Sequence, residues 1–313
     1  VNPAIDACLR APTEVPARHD VAAWWPRWRD GAARARGSAA QAIHGGFDAD
    51  RVGWAFASGY QAALHALLPQ LPSETLAAFC VTEASGNRPR DIRTRIAPAA
   101  DGTMTISGAK RWTTLGPDSS LLLVAGALPS GGEGARVPLK VAQLAVGTPG
   151  LRLLPMPETR FVPEVPHAQV ELEGVRVDAN ALLPGDGYER YVKPFRSIED
   201  VHVTLAVLAY LLREARARRW PEGFAERLCA ALVLLCGLAD APPDAPAMHV
   251  ALAGALAVAH ALFAEAGTLW QRHGADAAAQ RWQRDAALFD VASSARAQRA
   301  ARAWQRLQDH EAG

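Results

Sequence analysis

Between Asp48 and Leu68 the apolar positions Val52, Ala55, Phe56, Tyr60, Ala63 and Leu67 recur every three or four residues, which predicts an amphipathic helix. A Pro-punctuated start and a Trp-rich segment (Trp24, Trp25, Trp28) precede it, so residues 1–78 form a short helical region. The period changes near residue 79. Phe79-Cys80-Val81-Thr82 is β-prone, and Ile92 to Ala97 and Thr103 to Ser107 flank Ala99-Ala100-Asp101-Gly102, a hairpin signal. Leu121 to Leu128, Val141 to Val146 and Leu151 to Leu154 are further apolar runs bounded by Gly and Pro. Gln169-Val170-Glu171-Leu172-Glu173 alternates, and Val175-Arg176-Val177 resumes after Gly174, as a half-buried antiparallel strand does. Residues 79–178 therefore read as a central antiparallel β-barrel or sandwich domain.

From residue 179 onward the chain turns helical. Val201 to Arg219, Glu222 to Leu238, Met248 to Arg272 and Ala275 to Leu307 are separated by Pro221, by Ala241-Pro242-Pro243-Asp244 and by Gly274. Four long segments predict a C-terminal four-helix bundle over 179–313, and the fold class is α+β. Ala245 to Ala264 carries no formal charge, yet its alanines and two histidines fit a buried bundle helix better than a membrane span. Such an apolar helix predicts self-association through the bundle, most simply as a homodimer.

Composition narrows the function. With 33 basic and 32 acidic side chains, a formal charge of +1 gives no basic excess for a nucleic acid. Thirty of the basic residues are arginine and only Lys110, Lys140 and Lys193 are lysine, a bias that GC-rich codons explain. Cys8, Cys80, Cys229 and Cys236 have no CxxC spacing, so reduced thiols and a cytoplasmic location are expected, with no apolar leader before the first polar segment. Gly132-Glu133-Gly134 lacks the third glycine of a dinucleotide fingerprint and reads as a loop. His249 and His260 stand three helical turns apart, about 16 Å, too far to share a metal, and no metal site is expected.

Four motifs in order point further. Phe79-Cys80-Val81-Thr82-Glu83 resembles the aromatic-x-x-Thr-Glu signature of acyl-CoA dehydrogenases, and Gly108-Ala109-Lys110-Arg111-Trp112-Thr113-Thr114 is similar to that family's Gly-x-Lys-x-Trp-Ile-Thr strand. Val165 to Val177 resembles its last β-domain strand, and Leu183-Pro184-Gly185-Asp186-Gly187-Tyr188 its entry to the bundle. The chain is thus identified as a shortened, divergent member of the acyl-CoA dehydrogenase family. The resemblance implies FAD, with Phe79, Val81, Thr82, Trp112 and Thr114 at the cofactor and an acyl thioester of CoA as substrate or ligand. An indole suits the apolar face of an isoalloxazine ring, and threonines suit its polar rim. Read without the family, Trp112 caps the β-core and the threonines follow strand propensity.

The departures from the family pattern are systematic. In place of Pro-x-x-Gly-Ser-Asp after the Thr-Glu pair, the chain reads Ala84-Ser85-Gly86-Asn87-Arg88-Pro89-Arg90-Asp91, where Arg88 and Arg90 either offer charge-assisted donors to a phosphate or make a solvated basic loop. Arg284-Asp285-Ala286 resembles the start of the last signature, but an ungapped count puts Ser293 where the catalytic carboxylate stands, and a serine alone accepts no α-proton. Members with the carboxylate on the first bundle helix align it with Ile198, next to Glu199 and Asp200. Glu199 is therefore the candidate base, against a plain reading in which paired acids complement a helix N-terminus. Two functions stay open: an acyl-CoA dehydrogenase-like flavoprotein with its usual activity impaired, weakly binding FAD, or a non-catalytic scaffold or partner subunit of an active enzyme.

Overall fold

The computed structural model of the chain describes residues 2–129, 137–272 and 276–311, so Gly132-Glu133-Gly134 and Gly274 lie outside the described residues. The chain divides into two compact units: Val1–Gln70 with Thr159–Glu164 and Arg196–Gly313, and Leu71–Glu158 with Val165–Phe195.

The second unit is a seven-stranded sheet. Its strands are β1 (Ala77–Cys80), β2 (Arg95–Pro98), β3 (Met104–Thr114), β4 (Leu121–Ala127), β5 (Leu139–Ala145), β6 (Leu151–Pro155) and β7 (His167–Val177). They run in the order β1-β4-β2-β3-β7-β6, with β5 on β4. The predicted hairpin is β2–β3, closed through Gly102 at φ 84°. In β7 the alternation is realised: Ala168, Val170 and Leu172 point into the core, and Val175 rejoins it after Gly174. Val170, Leu172 and Val175 meet Ala78, Cys80, Ile96, Ile106, Leu122, Val124 and Leu144 in one apolar cluster.

One feature departs from a wholly antiparallel reading. β1 pairs with β4 in parallel, and β2 touches the end of β4 in parallel, while the other pairs are antiparallel. The chain between β1 and β4 is long enough for the crossover that parallel neighbours need. Strand-by-strand alternation carries no information about direction.

The first unit is helical. Its N-terminal part holds α1 (Pro3–Arg10), α2 (Val21–Arg34), α3 (Ser38–Phe47) and α4 (Val52–Leu67). α5 (Lys193–Ala217) enters it from Arg196 onward, followed by α6 (Glu222–Ala239), α7 (Pro246–Arg272), α8 (Ala277–Asp285) and α9 (Ser293–Glu311). α3 approaches α5 closely because Gly46 has no side chain: a Cβ there would lie 2.0 Å from the Ala206 carbonyl oxygen. On α7 the buried positions Met248, Leu252, Ala255, Leu256, Ala259, Leu262, Phe263, Ala266 and Trp270 form one stripe at helical spacing. By length and composition α7 is also long and apolar enough to cross a membrane, and 39% of that window is buried.

The predicted fourth helix is corrected to two. A 3-10 stretch, Ala286–Asp290, separates α8 from α9, although nothing between 277 and 311 is Gly or Pro. The cause is tertiary. Fully buried Asp285 accepts hydrogen bonds from the Val162 amide (2.8 Å) and from Arg284, which also pairs with Glu164 (3.0 Å). Arg296 donates to the Phe289 carbonyl at 2.8 Å, and the Phe289 ring packs 4.4 Å from that of Phe263. Local sequence would have continued the helix; these long-range partners stop it.

Candidate functional site

The β-unit builds its candidate surface around a buried ion pair. Lys110, on β3, is fully enclosed and donates to Glu83 Oε1 at 2.7 Å and to the Val81 carbonyl at 3.3 Å. Glu83 also accepts from the Arg93 amide (2.6 Å), the Thr94 amide (3.0 Å) and the Thr94 hydroxyl (2.8 Å). Burial works to raise the Glu83 carboxyl, but Lys110 and the backbone donors outweigh it and hold the group below the ordinary carboxylate range. The Arg111 amide donates to the Thr82 carbonyl at 2.9 Å. Val81 and Thr82 are thereby tied to the strand that presents Trp112.

Trp112 is unusual in two respects. Its backbone is left-handed, at φ 57°, and its side chain is 45% exposed in a strand whose neighbours Lys110 and Thr113 are buried. The β3–β7 register slips between Lys110 and Thr113, so the tryptophan sits on a bulge. A bulky residue with positive φ costs on the order of 1–3 kcal/mol and persists only where its surroundings impose it. Here those surroundings are the Met156 sulfur, which accepts from the Trp112 amide at 3.3 Å, and the His167 ring, edge-on at 6.1 Å. Arg111 lies over the indole at 5.6 Å. A bulge that turns an indole outward is the kind of device found beside binding sites.

Thr114 stands opposite His167 in the register, with its hydroxyl 3.4 Å from Nε2. Burial lowers the pKa of His167, so at neutral pH it is an uncharged partner. Val81, Thr82, Trp112 and Thr114 thus belong to one connected strand-end network. Phe79 does not share it: its ring is buried, edge-on to Phe195 at 5.1 Å. After Glu83 the chain folds tightly on itself, with reciprocal Glu83–Gly86 backbone bonds, the Ser85 hydroxyl on the Asp91 carbonyl, and Asp91 accepting from the Arg88 amide. Arg88 and Arg90 project into solvent from this turn.

At the entry to α5, Asp186 accepts from the Tyr188 and Glu189 amides at 2.9 and 2.8 Å and starts a π-helical turn, Tyr188–Val192, that continues into the helix. Gly187 is needed there, since a Cβ would lie 2.8 Å from the Lys140 backbone.

In the helical unit, Glu199 is the seventh residue of α5. The helix begins well before Val201, so the N-terminal dipole does not account for the acid pair. The two acids have separate environments. Asp200 is buried and clasped by Arg296, at 2.8 Å, and by Arg299. Glu199 is partly accessible but densely surrounded. Burial first, and then the Asp200 charge, raise its carboxyl to about 7, with Arg296 and Arg196 opposing. A carboxyl poised near neutrality is suited to proton transfer. His202, one turn on, is neutral: its Nδ1 donates to the Ile198 carbonyl (2.7 Å), its Nε2 faces the Ser38 hydroxyl (2.9 Å), and burial lowers it to about 4. Ser293 is exposed at the first turn of α9.

Sequence reasoning missed the Glu83–Lys110 pair, Met156 and the part played by His167. One signal was available: in a chain with 30 arginines, each of the three lysines holds a defined contact, Lys140 to the Gly185 carbonyl (2.8 Å) and Lys193 to Glu189 (2.7 Å) included. Among the described residues no group of His, Cys, Asp and Glu is arranged to hold a metal.

No family model and no curated protein matches the sequence. Solved structures do match in fold. FkbI, described as acting in biosynthesis of the methoxymalonyl extender unit of the polyketide Fk520, is 20% identical, with a TM-score of 0.70 over 98% of each chain. Butyryl-CoA dehydrogenase from Megasphaera elsdenii is 16% identical, with a TM-score of 0.69 over 92% of this chain and 90% of that one. FMN-bound TdsC from Paenibacillus sp. A11-2 is 18% identical, with a TM-score of 0.66 over 88% and 82%. The chain has the acyl-CoA dehydrogenase fold.

Proposed function

We propose that the protein is a flavin-dependent oxidoreductase of the acyl-CoA dehydrogenase type acting on an acyl thioester. The observation that supports it most is Trp112, an exposed indole on a strained bulge backed by a fully buried ion pair. That arrangement fits a flavin: an apolar ring face for stacking, with Val81, Thr82 and Thr114 supplying polar groups at its edge. Arg88 and Arg90 are the cations for the phosphates of FAD. The fold neighbours include one bound to FMN and one in complex with FADH2, which supports a flavin without choosing between the two.

A bound flavin supplies a hydride acceptor for the substrate β-carbon. The chain's own task is removal of the α-proton, and Glu199 is the residue for it, because its carboxyl near 7 is a better proton acceptor than an ordinary carboxylate. Ser293 has no such capacity. The product of that paired loss is the α,β-unsaturated thioester.

The test is anaerobic reduction of the flavin-loaded protein by acyl-CoA. Wild type should bleach, and Glu199→Gln should bleach at least about 10²-fold more slowly with its flavin absorbance intact. Trp112→Ala should weaken flavin binding by about 1–3 kcal/mol. A wild-type protein that binds flavin but never bleaches would favour the non-catalytic scaffold, the reading that the serine at position 293 supports.

We further propose that a second copy of the chain covers α7, whose outward residues Ala251, Gly254, Ala257, Val258 and Ala261 are apolar. Light scattering should show a dimer; a monomer at high concentration would contradict it. A cytoplasmic location goes with this reading.

A further inference from the structure

Four non-glycine residues have a positive φ among the described residues: Trp112 (57°), Leu115 (59°), Val162 (43°) and Arg219 (53°). One piece of chain, the connection between β6 and β7, takes part in the amide hydrogen bond of three of them. The Trp112 amide donates to the Met156 sulfur at 3.3 Å, the Leu115 amide to the Pro166 carbonyl at 2.8 Å, and the Val162 amide to Asp285 Oδ1 at 2.8 Å. Such a backbone is costly for bulky and β-branched residues and persists only where the surroundings impose it.

The connection is longer than the strands require. Its neck closes where the Met156 amide donates to the His167 carbonyl at 2.9 Å, and a hairpin loop of about 2–5 residues would suffice there. The chain instead makes an excursion over residues 157–166, stiffened by Pro157, Pro163 and Pro166. The tip, Thr159–Glu164, belongs to the helical unit, whereas Met156 and His167 belong to the sheet unit. Only Pro157 and Glu158 separate Met156 from the tip, and only Val165 and Pro166 separate the tip from His167.

Buried groups hold the tip. Asp285 is fully buried and accepts the Val162 amide, while Arg284 bridges Asp285 (2.7 Å) and Glu164 (3.0 Å). Glu164 in turn packs on the first turn of α4, where a Cβ at Gly53 would lie 2.6 Å from its Oε1. Val162 is itself 1% exposed and precedes a proline, which restricts its backbone further. The neck carries the partners of the candidate site: Met156 accepts the Trp112 amide, and His167 lies edge-on to the indole and 3.4 Å from the Thr114 hydroxyl.

We propose that Asp285 is a positioning residue for Trp112: by clamping the tip of the β6–β7 connection it keeps Met156 and His167 in place, and these keep the indole in its outward, left-handed setting. The consequence for FAD rests on reading Trp112 as the flavin platform; the effect on Trp112 itself does not.

The test labels the full chain with fluorotryptophan and follows Trp112 by fluorine NMR, its signal assigned by its loss in Trp112→Phe. FAD affinity is measured on the same variants. Two glycines inserted between the exposed residues Pro157 and Glu158 slacken the Met156 leg and leave both Trp112 and the anchor untouched. The insertion should shift or broaden the Trp112 signal and weaken FAD at least about fivefold, with the thermal midpoint within about 3 °C of wild type. Met156→Leu, close in volume, should move the same signal from the neck. Asp285→Leu, which removes the acceptor of the Val162 amide, should move it from the anchor. Asp285→Asn keeps a carbonyl oxygen for that amide but gives up the charge facing Arg284. It should lower the thermal midpoint and yet leave the Trp112 signal in its wild-type position, which separates positioning from stability. The insertion decides where Asp285→Leu fails to fold. The proposal is overturned if the insertion or Met156→Leu leaves the Trp112 signal unchanged, or if Asp285→Asn moves it as far as Asp285→Leu. A Trp112 signal that moves while FAD affinity stays constant supports the positioning role and counts against the flavin reading alone.

Discussion

Glu83 and Glu199 are both carboxyls in desolvated surroundings, one in each unit, and they are driven in opposite directions. Around Glu83, an ammonium at 2.7 Å and three further donors overcome the cost of burial, and the group stays ionised. Around Glu199, burial and the Asp200 charge outweigh the opposing charges of Arg296, which Asp200 already engages, and Arg196, and the carboxyl rises to about 7. Enclosure alone therefore does not set the protonation state of a carboxyl; the donors left available to it do. The first arrangement holds a strand-end network together, and the second leaves an acid ready to exchange a proton.

The largest effect should come from removing the partner in the first arrangement. Lys110→Met leaves Glu83 charged and enclosed, and should destabilise the protein by about 3–5 kcal/mol in denaturant unfolding. The double variant K110M/E83Q should recover part of that loss, because it removes the stranded charge while keeping an acceptor for the Arg93 and Thr94 amides. A single variant as stable as wild type would break the contrast between the two sites.

The second effect is a pH dependence. Glu199 has a higher pKa folded than unfolded, so the folded state binds more protons between the usual 4.5 and about 7. Its contribution to stability is therefore best below 4.5 and declines as pH rises, by at most about 3 kcal/mol above 7. His202 works the other way: lowered to about 4, it loses stability as pH falls from 6.5. The two slopes oppose each other along one helix. Glu199→Gln should isolate the first, with its stability relative to wild type increasing from pH 5 to pH 8. A difference that stays flat over that range would show that Glu199 is not held protonated.

How much of this was legible in the sequence follows from the range of the forces involved. The hairpin at Gly102, the alternation of β7 and the existence of a helix before Leu68 rest on neighbours two to four residues apart, and a linear reading finds them, although that helix is buried on nearly all sides and not along the one predicted stripe. The motif residues Val81, Thr82, Trp112 and Thr114 were legible as members of a pattern, and so was Glu199 as a lone candidate acid. What each one does was decided elsewhere. Glu83 meets Lys110 across 27 residues, Asp200 meets Arg296 across 96, and Asp285 meets the Val162 amide across 123. Those contacts set which carboxyl keeps its charge and where the last helix breaks. Periodicity records which face of an element is buried, whereas charge state, backbone strain and helix termination depend on partners that only the folded chain brings within 3 Å.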